Sequence, residues 1–332
     1  MQQAAETIPL GRTALRASAV GAGTNTWGGR WNAAIGGREA DPDKRSTFDS
    51  LLDCGVTLLD TAEIYTAGAS EQIIGRCIRE SGRKPLVLTK FFPFPWRLRR
   101  GAVKAALRRS LDRLQLPRVD VYLLHFPWPP VPLETWVGAL ADAAEAGLTR
   151  TVGISNCGPE QTRRAHAALA SRGIPLACNE VEFSLLNRRA ERSGLLGVCR
   201  QLGVTVIAYR PLALGTLSGK YDSRHPPGGY RGMVYGRGYL AGIAPVLSAL
   251  RRIAEERRKT VPQVALNWLV ARPSVSTVVI GARTEEQLRQ NLGAVGWSLS
   301  PEQARRLDEA SAVTPVYPYW HQRWFTRNPP PV

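Results

Sequence analysis

Short apolar runs rich in β-branched residues alternate with amphipathic stretches along almost the whole chain. The runs at 17–24 (ASAVGAGT), 56–62 (VTLLDTA), 86–91 (LVLTKF), 119–126 (VDVYLLHF), 151–156 (TVGISN), 177–183 (ACNEVEF), 204–211 (VTVIAYRP) and 276–282 (STVVIGA) predict eight strands. Several are continuous rather than alternating, as strands covered on both faces tend to be. Between them, 70–80, 103–114, 133–147, 159–171 and 191–203 place apolar residues at helical spacing and predict helices. Gly147 and Gly203 stand where a glycine closes a helix, and Pro159 sits near a first helical turn, where its missing N–H is harmless.

Eight strands alternating with helices suit either a doubly wound sheet or a closed (β/α)8 TIM barrel. The regular count and spacing favour the α/β barrel. So do the polar residues: Asp60, Lys90, His125, Ser155, Asn156, Glu180, Tyr209 and Arg283 lie at or just beyond the C-terminal ends of their runs. A barrel brings those ends to one face, whereas an open sheet would spread them over two edges. A dinucleotide fingerprint is incomplete, because Thr26 replaces the third glycine in GAGTNT (21–26) and no helical run follows. Two segments break the alternation. Residues 213–260 hold a Gly-rich loop and then a helical stretch (239–260), and 314–332 form a Pro- and aromatic-rich tail. Long rim loops usually cover or shape a site. One domain is expected over 1–332, with its core at about 10–312 and 313–332 as a rim or flexible tail.

Composition narrows the function classes. No apolar run is long enough to span a membrane, and the N-terminal residues lack the pattern of a secretory signal. Five scattered cysteines (54, 77, 157, 178 and 199) without a C-x-x-C pair suggest reduced thiols and a cytoplasmic setting. Four histidines without metal-ligand spacing predict no metal. The net charge of +17 raises the question of a nucleic-acid partner. Lysine stands only at 44, 84, 90, 104, 220 and 259, however, and the arginines are spread along the chain. A solvated basic surface that attracts an anionic small molecule accounts for this better than a nucleic-acid interface.

Four residues carry the chemistry. Asp60 closes one run, Tyr65 follows it in a loop, and Lys90 and His125 close the next two. A carbonyl that accepts hydride develops alkoxide charge on oxygen and needs a proton donor there. A phenol suits an alkoxide, but its ordinary pKa of about 10 is high for work near neutrality. An adjacent ammonium stabilises the phenolate, and a carboxylate keeps that ammonium charged and oriented. This assigns Tyr65 as general acid, Lys90 as its tuner, Asp60 as the lysine's partner and His125 as the substrate-orienting group. No side chain supplies hydride, so a nicotinamide cofactor is required.

At these residues the chain resembles the aldo-keto reductase superfamily. LLDTAEIYTAGASEQIIGR (58–76) is similar to that family's long D-T-A-x-x-Y-G-x-G-x-S-E-x-x-[IL]-G signature, and the similarity runs in order over roughly 10–312. The resemblance implies a (β/α)8 barrel and NADPH-dependent interconversion of an aldehyde or ketone with an alcohol. It also implies a cofactor path: Gly23, Thr24 and Asp60 at the first strand ends, Ser155 and Asn156 on the nicotinamide carboxamide, and Tyr209 stacked on the ring. Pro211, Leu212, Gly215, Leu217 and Lys220 fall on the loop that wraps the pyrophosphate; Gly281, Arg283, Gln287 and Asn291 match the stretch that grips the adenosine 2′-phosphate and adenine. Arg283 lies beside the start of a helix predicted at about 284–294, where a cation and free N–H groups suit a phosphate, so NADP(H) is favoured over NAD(H).

The sequence departs from the family pattern at three places. Thr66 replaces a glycine beside Tyr65, Arg210 replaces a serine, and Glu180 replaces the glutamine that meets the carboxamide. An ionised Glu180 cannot donate a hydrogen bond and is expected to favour the oxidised, cationic nicotinamide. Trp27, Trp31, Phe91, Phe92, Trp96, Phe126 and Trp128 are expected to line a flat, apolar substrate region. The competing reading is a regulatory barrel that binds NADP(H) without turnover; no partner beyond the small-molecule substrate and cofactor is implied.

Overall fold

In a computed structural model, residues 7–28, 44–228, 232, 235–281 and 285–312 are described. A short antiparallel hairpin, β1 (Thr7–Pro9) with β2 (Arg16–Ser18), precedes eight parallel strands: β3 (Val20–Gly23), β4 (Leu58–Asp60), β5 (Leu86–Phe91), β6 (Val119–Leu124), β7 (Thr149–Ser155), β8 (Leu176–Glu182), β9 (Thr205–Tyr209) and β10 (Val275–Gly281). Each strand pairs with the next in sequence, and β10 pairs with β3, closing a (β/α)8 barrel. The expected run at 17–24 divides between the hairpin and the barrel at Ala19.

Two apolar layers hold the barrel. Inward-facing Leu58, Leu88, Val121, Leu123, Cys178, Ile207 and Val279 form the inner cluster, which Leu10, Leu15 and Ala17 of the hairpin segment complete. Gly11 packs so close to the start of β8 that a Cβ there would strike the Ala177 carbonyl. The hairpin therefore plugs the N-terminal mouth and leaves the C-terminal mouth for the site. The outer layer lies between sheet and helices and contains Trp136, Trp268 and Phe183.

Three helices lie outside the expected stretches: Arg45–Asp53, Val261–Val270 and Pro301–Ala310. Val261–Val270 is buried almost all round, so it has no polar face to mark it. Capping chemistry marks the last two nonetheless. Thr260 and Ser300 each accept from the backbone N–H three residues on, Gln263 and Gln303 reach back, and a proline stands in the first turn. The helical stretch expected at 191–203 breaks at Gly194, which is left-handed, and that expected at 239–260 breaks at Ile243 before Pro245.

The signature segment is largely architectural. Helix Ala69–Ser81 crosses helix Gly101–Leu114 at Gly75, where a Cβ would land on the Leu114 carbonyl. Gly75→Ala is expected to destabilise the protein, because overpacking against backbone costs about 1–3 kcal/mol and outweighs a helix-propensity gain of about 1 kcal/mol. Thermal unfolding checks this; a Tm equal to or above wild type would show that the two helices part without strain. No helix among the described residues is long and apolar enough to cross a membrane.

Candidate active site

The C-terminal mouth opens into a cleft of about 550 Å3. Beneath its floor the fully buried Lys90 ammonium, at the end of β5, is the hub. It donates to Asp60 Oδ1 and, at 3.0 Å, to the Thr61 carbonyl. It also lies 3.4 Å from the Tyr65 hydroxyl. A second carboxylate, Glu180 of β8, places Oε2 3.3 Å from the same nitrogen, an ion-pair distance without hydrogen-bond geometry. The rings of Tyr65 and His125 meet edge to face with centroids 6.0 Å apart. The four residues, from three neighbouring strand ends, are thus adjacent.

Local backbone explains how each is presented. Tyr65 begins a tight turn in which Thr66 and Ala67 have φ of 49° and 56°. The left-handed conformation natural to glycine is therefore kept at Thr66, and its hydroxyl donates to the Trp27 carbonyl at 2.7 Å. Asn156 is also left-handed, with φ of 58°, which asparagine tolerates. Its amide donates to the His125 carbonyl at 3.1 Å and to Ser155 Oγ at 2.9 Å, and its Oδ1 accepts from the Tyr209 hydroxyl at 2.8 Å. Ser155 Oγ donates to the Glu180 carbonyl at 2.8 Å. The ends of β6, β7, β8 and β9 are tied together by these bonds.

Burial and charge then set the proton states. Burial raises the Tyr65 phenol and the pull of Lys90 offsets that only in part, so Tyr65 keeps its proton near neutrality. Burial would lower Lys90, but Asp60 and Glu180 reverse this and hold it raised and charged. Burial raises Asp60 against the pull of Lys90. Glu180 is pushed up to about 8 by burial and then by the Asp60 charge. His125 is held well below its ordinary value by burial and by Lys90, so its imidazole is neutral near pH 7. A protonated phenol and a neutral imidazole side by side at the cleft wall are two potential partners for one carbonyl oxygen.

The remaining expected residues divide. Gly23, Asp60, Ser155, Asn156, Glu180, Tyr209, Pro211, Leu212, Gly215, Lys220, Gly281, Gln287 and Asn291 line the cleft. Gly215 and Gly281 have no atom within 4 Å of a built Cβ, so the backbone there faces open space. Thr24 and Leu217 do not line it. Thr24 is buried and its hydroxyl bonds to the Asp60 carbonyl and Ser70, while Leu217 packs in the outer core. Arg210, with φ of 52°, lies 3.5 Å from Glu182 and so leaves Glu180 to Lys90. Arg283 and Trp31 lie outside the described residues, as does the 313–332 tail.

The aromatic expectations need correction. Trp27 and Phe91 are fully buried and belong to the outer core, Phe91 against Trp136 at 5.1 Å, because both project into the helical layer. Of the set, Phe126 lines the cleft and stacks on His125 at 5.0 Å. Phe92 touches His125, Phe126 and Trp128, placing the last two rings around it. Trp96 stacks on Phe94 and is 74% exposed, well out on the rim. Two supports escaped the sequence reading. Glu63 accepts from Phe92 N at 2.7 Å and pairs with Arg97, bracing the loop after β5 against the Tyr65 loop. Buried Glu71 bridges Thr89 at 2.6 Å and Arg113 at 2.7 Å. Glu71 is a fixed position of the signature and Glu63 a variable one, and the partners of both lie on segments that the motif pattern does not reveal.

Comparison with known proteins agrees with this architecture. The sequence model of the Aldo/keto reductase family matches residues 19–312. The chain is 38% identical over 317 residues to the chloroplastic pyridoxal reductase of Arabidopsis thaliana, covering 91% of this chain and 85% of that protein. It is 33% identical over 287 residues to the L-glyceraldehyde 3-phosphate reductase of Escherichia coli K12, covering 80% and 83%. Among solved structures, a thermostable aldo-keto reductase in complex with the inhibitor epalrestat superposes with a TM-score of 0.71 at 32% identity, over 92% of this chain and 99% of that one. With the family match spanning the barrel and its mouth, the chain belongs to the aldo/keto reductase family and is an oxidoreductase of the carbonyl/alcohol class.

Proposed function

We propose that the cleft binds NADP(H) and that the chain reduces an aldehyde or ketone, or oxidises the corresponding alcohol, with Tyr65 moving the proton. The observation that carries this reading is the shared ammonium: Lys90 meets the Tyr65 hydroxyl at 3.4 Å and pairs with Asp60 directly beneath the cleft. The residues fit the cofactor. Tyr209 offers an aromatic face whose hydroxyl is fixed on Asn156, and Gly215 and Gly281 leave the backbone open to close approach. Lys220, Gln287 and Asn291 line the same cleft, and Arg283 is placed by sequence beside the helix that carries the last two.

The bound nicotinamide supplies or accepts the hydride. Everything else falls to the chain. His125, neutral and buried, orients the carbonyl oxygen. Tyr65 gives its proton to that oxygen as charge develops, and Lys90 then holds the phenolate. Asp60 keeps the ammonium in place. Ile64, Phe126 and Leu214 give the cleft its apolar side. Both named relatives reduce an aldehyde, which makes aldehydes the first class to try.

Loss of NADPH absorbance with 4-nitrobenzaldehyde tests the reading, with NADH in parallel. Turnover is expected with both nucleotides and a lower KM for NADPH. A charge-assisted bond to the 2′-phosphate contributes about 1.5–3 kcal/mol, roughly ten- to a hundredfold. Binding of NADPH without turnover of any aldehyde would replace this reading with that of a regulatory barrel.

A further inference from the structure

We propose that Glu180 makes the site select between the two redox states of the nicotinamide, by holding a proton when the reduced form binds and releasing it when the oxidised form binds. The proposal rests on the reading above that the cleft holds this cofactor. Its geometric basis is an acid pair on one cation. Asp60 and Glu180 approach the same Lys90 nitrogen from β4 and β8, both nearly fully buried, and both line the cleft. Asp60 takes the hydrogen bond. Glu180 Oε2 has none.

One ammonium cannot neutralise two buried carboxylates, and two such groups close together do not both ionise readily. The pair therefore retains a proton, and it resides on Glu180, the member without the direct bond. A protonated Glu180 both donates and accepts, which an amide side chain would also do. An ionised Glu180 only accepts, and it adds a negative charge to the cleft. Tyr209, Ser155, Asn156 and Glu180 line the cleft together with Tyr65 and His125, so a nicotinamide ring bound within reach of a carbonyl held by those two would meet Glu180. The oxidised ring is cationic and the reduced ring neutral, so only the oxidised ring gains from ionised Glu180. By linkage its binding must expel the proton, while binding of the reduced form leaves the proton in place.

Other groups facing Glu180 do not supply this behaviour. Tyr65, Tyr209 and Cys178 are raised by burial and stay protonated, Lys90 is raised and stays charged, and His125 is lowered and stays neutral. Asp60 keeps the bond to Lys90, and Glu182 on the same strand faces Arg210. Glu180 is left as the group that changes charge, near a pH of about 8.

Calorimetric titration of NADP+ and NADPH in buffers of different ionisation enthalpy reads both affinity and protons exchanged. The nucleotide 2′-phosphate is common to both ligands and cancels in their ratio. For wild type, Kd(NADP+)/Kd(NADPH) should fall by roughly tenfold or more, about 1.4 kcal/mol, as pH rises through about 8. On the acid side of that range NADP+ binding should release a proton and NADPH binding should not. In Glu180→Gln the ratio should be flat and the extra proton absent. A flat ratio in wild type, or the same slope and proton release in the variant, would overturn the proposal. Should the variant fail to fold, the wild-type proton count alone decides. If neither nucleotide binds, the cofactor reading fails first and this one with it; tight binding of both with equal proton counts sinks only this one.

Discussion

Tyr65→Phe is expected to lower kcat/KM for an aldehyde by about 10^2–10^4, the usual contribution of a positioned general acid, with NADPH affinity and Tm unchanged. The substitution removes one oxygen and keeps the ring that meets His125 edge to face at 6.0 Å. The hydroxyl removed lies 3.4 Å from Lys90, which retains its bonds to Asp60 and Thr61. No buried charge is orphaned, so stability should hold. The pH behaviour follows from the direction of the shift. Because burial raises Tyr65, the phenol keeps its proton through neutral and moderately alkaline pH. The rate of reduction in wild type should therefore not fall in that range through loss of this proton. Steady-state kinetics with nucleotide titration checks all three quantities. Equal activity in both proteins would assign the proton to another group, His125 first among them.

Much of this site could be read in the chain because it sits where β periodicity ends. Asp60, Lys90 and His125 terminate apolar runs, and a barrel places such ends together regardless of the loops between them. Tyr65 was legible through its place in a long motif. The aromatic rim was not, because a ring's side of the sheet depends on strand parity and on loop path. Phe91 is one residue beyond Lys90 on β5, so it points the opposite way, into the helical layer. Trp27 follows a turn whose hydrogen bond to Thr24 directs it inward. Helix Val261–Val270 was hidden for a related reason: apolar on nearly every face, it lacks the period that marks a surface helix. Spacing reveals the ammonium beside Tyr65 but not the burial that raises the phenol against its pull.

Lys90→Met should be damaging in two separable ways. Methionine matches the length of the lysine stem but leaves Asp60 and Glu180 buried without a cation. Removing one partner of a buried pair costs about 3–5 kcal/mol. The sign with pH follows from linkage. Without the ammonium both carboxyls rise further above their unfolded values of about 4, so the native state binds protons that the unfolded chain does not. Stability of the variant then falls as pH rises, and its deficit against wild type should narrow on acidification toward the ordinary carboxyl range. Activity should drop on the order of 10^2–10^3 even where the fold holds, since the developing phenolate loses its counter-charge. Thermal unfolding at several pH values, with kinetics at the most stabilising one, distinguishes these effects. A deficit that is constant or grows toward acid would mean that lost packing, not orphaned charge, is the cause. The double substitution Lys90→Met/Glu180→Gln sharpens this further. It removes one of the two stranded acids, so it should gain more stability over Lys90→Met than Glu180→Gln gains over wild type, a non-additivity expected only if Asp60, Glu180 and Lys90 act as one electrostatic unit.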